Sequence, residues 1–505
     1  MDKILLGVDV GTSNVKVIAY SIEGEPLEKV SIPQVIYFDS LCAEQNVEGI
    51  WNGICRALKE MTNKLGAKKR NILGLALSVQ RAVFVALDKN NKPLTNMILW
   101  SDKRGLKYCK NLRKLIEEDR FKRITGNAIH PNLPITKIVY LKEERKSLFD
   151  NTKLFETPQG TFLSFLGAKE HYCDFPTASF FGFMDIEKKE WSEEICNLVG
   201  ISKENLPILE QPGKVVGRVS KKVSRVTGLM FGTPLILGLG DATSSAYGSG
   251  VVVPGHASVV MGTGSDIIGI SDRPIFASHR GLQCGAYVIP GLWGLEGNGN
   301  ASGVALNWLI KNFYSESKGS EDMISTSVYN LILNKAKQSP AGARGIVFLP
   351  TLSGVCCPER NRNVKGGIYG INPSTTKADI IRALLEGICY EIKFILQEIE
   401  KNNFKIDNIT ISGGAAKSAF CNQLHADIYN KKILVPEVVD TAPLGVAMCV
   451  AVGLGVFGNY VEAARKMVKY ASKYYPKETD FYYKSERLFR SFLQGVATIE
   501  FNEEV

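Results

Sequence analysis

Residues 4–20 read Ile4-Leu5-Leu6-Gly7-Val8-Asp9-Val10-Gly11-Thr12-Ser13-Asn14-Val15-Lys16-Val17-Ile18-Ala19-Tyr20. Two apolar runs flank a Gly-Thr-Ser-Asn turn, which predicts a β-hairpin. Glu23-Gly24-Glu25-Pro26 then turns the chain into a third run, so the opening is an antiparallel meander with a hydroxyl-rich tip. A glycine turn frees backbone N–H groups, and hydroxyls beside them complete a cradle for an anion such as phosphate. Gly11, Thr12, Ser13 and Lys16 are therefore candidate phosphate-binding residues. Asp9, at the strand end, can hold Mg²⁺ directly or through water, because magnesium prefers hard oxygen ligands. Read alone, the same tip also describes an ordinary hairpin. The chain contains no G-x-x-x-x-G-K-[ST] stretch, which excludes a P-loop.

Working outward, apolar residues at Ile50, Trp51, Ile54, Leu58, Met61 and Leu65 predict a helix over Val47 to Leu65. Asn71 to Ser78 reads as a buried strand with Ala82 to Leu87 as its neighbour, and a further strand ends at Ile98-Leu99-Trp100. The opening pattern then returns about 250 residues later: His256 to Met261, the tip Gly262-Thr263-Gly264-Ser265, and Asp266 to Ser271. That interval suits two homologous domains rather than a solenoid. The expected fold is α/β, with the boundary just after Asp241, near Tyr247 to Gly255, dividing the chain into 1–248 and 249–505. In the second half a long helix is predicted from Lys377 to about Lys401, and a strand over Ile406 to Ser412.

Further motifs bear on chemistry. Gly262, Thr263 and Gly264 repeat the first tip, and two such tips facing one cleft would grip a triphosphate from both sides. In Ser412-Gly413-Gly414-Ala415-Ala416-Lys417-Ser418, glycines would let a flat ring approach the backbone, and a helix N-terminus would add donors; Gly413, Gly414, Ala415, Lys417 and Ser418 are the candidates. An ordinary strand-to-helix turn has the same composition. Asp241, in Gly238-Leu239-Gly240-Asp241-Ala242, is placed to act as general base toward a hydroxyl, or to cap the helix that follows. Gln80-Arg81 and Trp100-Ser101-Asp102-Lys103-Arg104 offer polar and planar groups for a polyol; a surface loop remains open for Lys103 and Arg104.

Composition narrows the classes. The chain has 505 residues, 45% hydrophobic and 22% charged, with a formal charge of +10. This is an ordinary globular balance, with a positive excess too diffuse for nucleic acid. Eleven cysteines without a CxxC pair and five scattered histidines suggest reduced thiols and no zinc site. Thr441 to Gly458 is uncharged but rich in Gly and Ala, which predicts a buried helix packed through small residues rather than a membrane span. With neither signal nor transit peptide expected, the reading is a soluble, cytoplasmic protein.

As a set, these residues resemble the FGGY carbohydrate kinases, a family that includes xylulokinases, glycerol kinases, gluconokinases and ribulokinases. The resemblance runs from Ile4 to about Gly458 and is carried by the Asp9-to-Lys16 tip, Gly240-Asp241, Gly262-Thr263-Gly264, Gly413-Gly414-Ala415, and Gly366-Gly367-x-x-Gly370 leading to Arg382-Ala383-x-x-Glu386-Gly387. Thr136-Lys137 with Tyr140 is similar to a second signature, with Tyr where Trp is common. It implies two actin-like (ribonuclease-H-like) domains closing on ATP and Mg²⁺, and a small sugar or polyol as acceptor. Asp241 would be the base and Asp9 the magnesium-organising residue. Thr12, Ser13 and Thr263 would face phosphates, and Gly414 and Ser418 the adenosine. Gln80, Arg81, Trp100 and Asp102 would line the sugar, with Asn132 beside them. Ala82, Ala242 and Asn132 differ from glycerol kinases; Trp100-Ser101-Asp102-x-Arg104 is nearer the xylulokinase pattern, although Gln80-Arg81-Ala82 departs from it. The expected substrate is a pentulose or related polyol, with glycerol or gluconate as alternatives and an actin- or chaperone-like ATPase switch as the competing class. A homodimer is compatible with this reading.

Overall fold

The computed structural model describes residues 3–277, 281–300, 302–314, 326–357, 360–361, 363–402 and 404–498. In the first half, β1 (Ile4–Val10), β2 (Asn14–Tyr20) and β3 (Pro26–Pro33) form the expected meander. Helix α1 (Val47–Leu65) follows, with the Asn46 side chain accepting from the Gly49 N–H at its start and Gly66 at positive φ at its end. Next come β4 (Ile72–Val79), β5 (Val215–Arg218), β6 (Pro234–Gly240) and α2 (Asp241–Gly248). The sheet order is β5-β6-β4-β1-β2-β3, with β6, β4 and β1 mutually parallel. Both faces of β1 are covered, which is why Ile4, Leu5 and Leu6 are all apolar and buried.

The expectation that Ala82 to Leu87 flanks this strand is not met. The strand there is Val85–Leu87, and it pairs with Leu154–Glu156 in a separate small sheet. Ala82 has φ of 55°, which turns the chain out of the sheet, and β1 and β6 already occupy both edges of β4.

The second half repeats the plan. It contains β7 (His256–Met261), β8 (Ser265–Ser271), β9 (Gln283–Ala286), β10 (Trp293–Gly299), α3 (Ser302–Phe313), α4 (Thr326–Ala336) and α5 (Lys377–Glu400). Then follow β11 (Asn408–Gly413), α6 (Ala419–Tyr429), β12 (Lys432–Pro436), α7 (Thr441–Gly453), β13 (Tyr470–Tyr474) and α8 (Asp480–Ala497). The order β13-β12-β11-β7-β8-β10-β9 matches the first sheet strand for strand through β10, with the same directions. In this correspondence β12 with α7 stands for β6 with α2.

Those two helices meet. A Cβ on Gly248 would collide with the Thr441 carbonyl, and one on Gly445 with the Ser244 carbonyl. Small residues thus let the backbones touch, and one core joins Leu5, Ala76 and Tyr247 to Leu444, Val446 and Met448. Helix α7 is the buried small-residue helix that the sequence predicts, and no helix among the described residues is long and apolar enough to cross a membrane. The C-terminal segment packs back on the body: β13 extends the sheet, and Phe489 of α8 lies against Tyr390 and Phe394 at 5.4 and 5.6 Å between ring centres. All eleven cysteines are unbridged.

Candidate active site

The two glycine tips stand at equivalent strand ends. At the first, the Gly11 N–H donates to the Asn14 carbonyl (3.0 Å), closing the turn. The Thr12 hydroxyl donates to Gln80 (2.8 Å), the Gln80 amide donates to Gln45 (2.9 Å), and the Gln45 amide donates to the Thr12 carbonyl (2.9 Å). This ring of three side chains fixes the tip to the end of β4. Ser13 is exposed, and Lys16 reaches Asp440, just before α7, at 3.1 Å. Asp9 accepts from Ser78 (2.9 Å); burial pushes its carboxyl up, opposed by the Lys16 charge and by that hydrogen bond.

Asp241 opens α2 at the end of β6. Its side chain does not cap the helix; among the described residues the hydrogen bond it accepts is from the adjacent Ala242 N–H (2.9 Å), and its side chain is partly exposed although its surroundings desolvate it. Arg81 Nε lies 3.6 Å from Asp241, while its two terminal nitrogens donate to Glu296 on β10 at 2.6 and 2.8 Å. The guanidinium also covers the Phe180 ring at 4.1 Å. Gly240 is required here, because a Cβ would collide with the Arg81 stem. Asp266 on β8 accepts from Asn298 (2.6 Å). Burial raises Asp241 to about 6 against the pull of Arg81, and raises Asp266 to about 7 with help from the charges of Glu296 and Asp241.

At the second tip the Gly262 N–H donates to Gly264 (2.9 Å), and the first turn of α3 docks on it through Gly303 N–H to Gly262 (3.1 Å) and Val304 N–H to Thr263 (3.0 Å). Beside it opens a cavity of about 880 Å³, whose walls include Thr263, Leu306, Leu385, Gly414, Ala415 and Ser418. A Cβ at Gly262 or Gly414 would meet no neighbour, so both glycines leave backbone open to that space. Gly413 has φ of 86°, and Lys417 lines the same cavity. Ser418 caps α6 by accepting from the Cys421 N–H (3.2 Å).

The Trp100–Arg104 loop divides in two. Asp102 is fully buried and accepts from the Ala43 N–H (2.9 Å) and from Arg104 (2.8 Å), while Arg104 also donates to Glu44 (2.5 Å). Its oxygens serve the loop itself. Trp100 is exposed and Asn132 half-buried. The Asn132 carbonyl accepts from fully buried Lys137 (2.9 Å), whose ammonium also donates to Leu99 (2.7 Å); burial pushes Lys137 down to about 7.

Sequence reasoning brought Asp9, Thr12, Gln80, Arg81 and Asp241 to one cleft, and it missed Gln45, Asp266, Glu296, Asn298 and Asp440. The available signal for Glu296 was a carboxylate inside the strand Gly294-Leu295-Glu296-Gly297-Asn298-Gly299, where only a partner across the cleft repays burial of charge.

Residues 4–248 match the N-terminal domain, and residues 257–454 the C-terminal domain, of the FGGY family of carbohydrate kinases. The chain is 26% identical to a gluconokinase of Bacillus subtilis (strain 168) over 480 residues, covering 95% of this chain and 93% of that one. It is also 26% identical to a xylulose kinase of Staphylococcus epidermidis over 468 residues, covering 92% and 91%. The solved structure of a gluconate kinase from Lactobacillus acidophilus superposes with a TM-score of 0.90 at 24% identity, covering 99% of each chain. The duplicated sheets are thus the actin-like two-domain architecture of sugar kinases. Two matched domains, spanning both glycine tips and the carboxylate between them, place the chain in the FGGY family of carbohydrate kinases.

Proposed function

We propose that this phosphotransferase moves the γ-phosphoryl group of ATP to a terminal hydroxyl of a pentulose or related polyol, in a xylulokinase-like reaction. The observation that carries this reading is Asp241: a carboxylate at a helix start, partly exposed, between the first tip's Asp9 and the second sheet's Glu296. Asp241 accepts the hydroxyl proton as that oxygen attacks phosphorus in line and the bond to ADP breaks. Thr12, Ser13, Gly262, Thr263 and Gly264 flank the phosphates with hydroxyl and backbone donors, and the cavity at Gly414 and Ser418 takes the nucleoside. Trp100 faces the sugar, Gln80 braces the first tip through Thr12 and Gln45, and Asp102 and Lys137 stiffen the loop that presents Trp100 and Asn132.

The donor set fits magnesium. Asp9 is a hard oxygen ligand at the end of β1, buried, with one oxygen accepting from Ser78 and its charge opposed in part by Lys16. Asp9 would hold Mg²⁺, directly or through water, and the ion would supply charge neutralisation for the phosphates. A coupled ADP-release assay over glycerol, erythritol, xylulose, ribulose and gluconate tests the reading. A pentulose or polyol is expected to give the highest kcat/KM, and ADP release that ignores every acceptor would overturn it.

A further inference from the structure

We infer that Glu296 is a specificity-determining residue: by occupying Arg81 from the opposite lobe it denies a cation to acidic substrates, so the cleft selects uncharged polyols and ketoses over sugar acids. This inference rests on the proposed reading and narrows its substrate class.

The geometry is a fork on a fork. Both terminal nitrogens of Arg81 are spent on both Glu296 oxygens, and its Nε faces Asp241. The two side chains are 10% and 4% exposed, so the pair is withdrawn from water although its members lie 215 residues apart. Phe180 covers the guanidinium face, and Gly240 passes beneath the stem. Both terminal nitrogens of Arg81 are therefore committed to Glu296, and its Nε, which is buried and makes no hydrogen bond among the described residues, is left facing Asp241.

Charge points the same way. Arg81 is the principal cation acting on Asp241 and Asp266, against three carboxylates at Asp241, Asp266 and Glu296. Burial first, and then the charges of Glu296 and Asp241, push the Asp266 carboxyl up. An incoming aldonate carboxylate would meet these carboxylates unpaired. Were Arg81 to swing toward the substrate instead, it would strand Glu296 as a buried charge without a partner. Uncharged hydroxyls meet neither penalty and can donate to the surplus oxygens. The relatives named above include enzymes for both substrate classes, so this pair of residues bears on a real choice.

The test compares D-gluconate with D-xylulose, D-ribulose and erythritol, by calorimetric binding without nucleotide and by kcat/KM. The parent enzyme is expected to favour the best uncharged compound by about 10²-fold or more, as one like-charge contact near a protein surface implies. Glu296→Gln frees the guanidinium and should shift the acid-to-neutral ratio toward gluconate by at least about tenfold, while Glu296→Asp, which keeps the charge, should stay near the parent ratio. A parent enzyme that binds gluconate as tightly as every uncharged compound overturns the inference. So does an unchanged ratio in a folded Glu296→Gln protein. Binding needs no phosphoryl transfer, so this outcome is independent of the role given to Asp241.

Discussion

A carboxylate that takes a proton from an alcohol must be ionised at the working pH yet basic enough to hold what it accepts. Asp241 meets both demands because burial lifts it to about 6 while Arg81 keeps it from rising further. Protonated Asp241 cannot act as a base, so kcat/KM for the sugar should fall about tenfold per pH unit below roughly 6 and level off above it. A profile whose acid limb lies near 4, the range of an unperturbed aspartate, would contradict the assignment. Asp241 was legible in the sequence because its flanking glycines mark a crowded strand end, and Gly240 indeed makes room for Arg81. Glu296 and Gln45 were not, because their partners, Arg81 and Thr12, come from distant chain segments whose meeting no local pattern encodes.

Elements with a strong internal period were read well. Helix α1 begins at the predicted Val47 and ends at Leu65, where an Asn cap and a glycine stop reinforce the apolar face. Short strands were read less well: Val85–Leu87 has the right composition, but its partner is chosen by a backbone turn at Ala82 that composition does not announce. The α2–α7 contact is an element-scale feature that the sequence does announce, through Gly and Ala in an uncharged helix. Gly445→Val should lower stability by about 1–3 kcal/mol or more, because the added atoms collide with the Ser244 carbonyl. Urea unfolding checks this against Gly495→Ala, which meets no neighbour and should leave the midpoint unchanged or slightly raised. Equal midpoints for Gly445→Val and the parent would show that the helices do not approach through that glycine.

At the scale of the molecule, the duplicated sheets explain why the chemistry is assembled from distant segments. Each half supplies one glycine tip, and the strand-to-helix junction after β6 lies at the seam, sharing a core with its counterpart after β12. The repeat was visible in the sequence as two matching tips, whereas the cross-lobe pairs Lys16–Asp440 and Arg81–Glu296 emerge only when the halves are brought together. The most direct measurement of the central claim is single-turnover transfer from ATP to the best acceptor by Asp241→Asn, with nucleotide affinity measured alongside. Transfer should slow by about 10²–10⁴-fold while ATP binding stays near the parent value. Transfer at close to the parent rate would show that another group takes the proton.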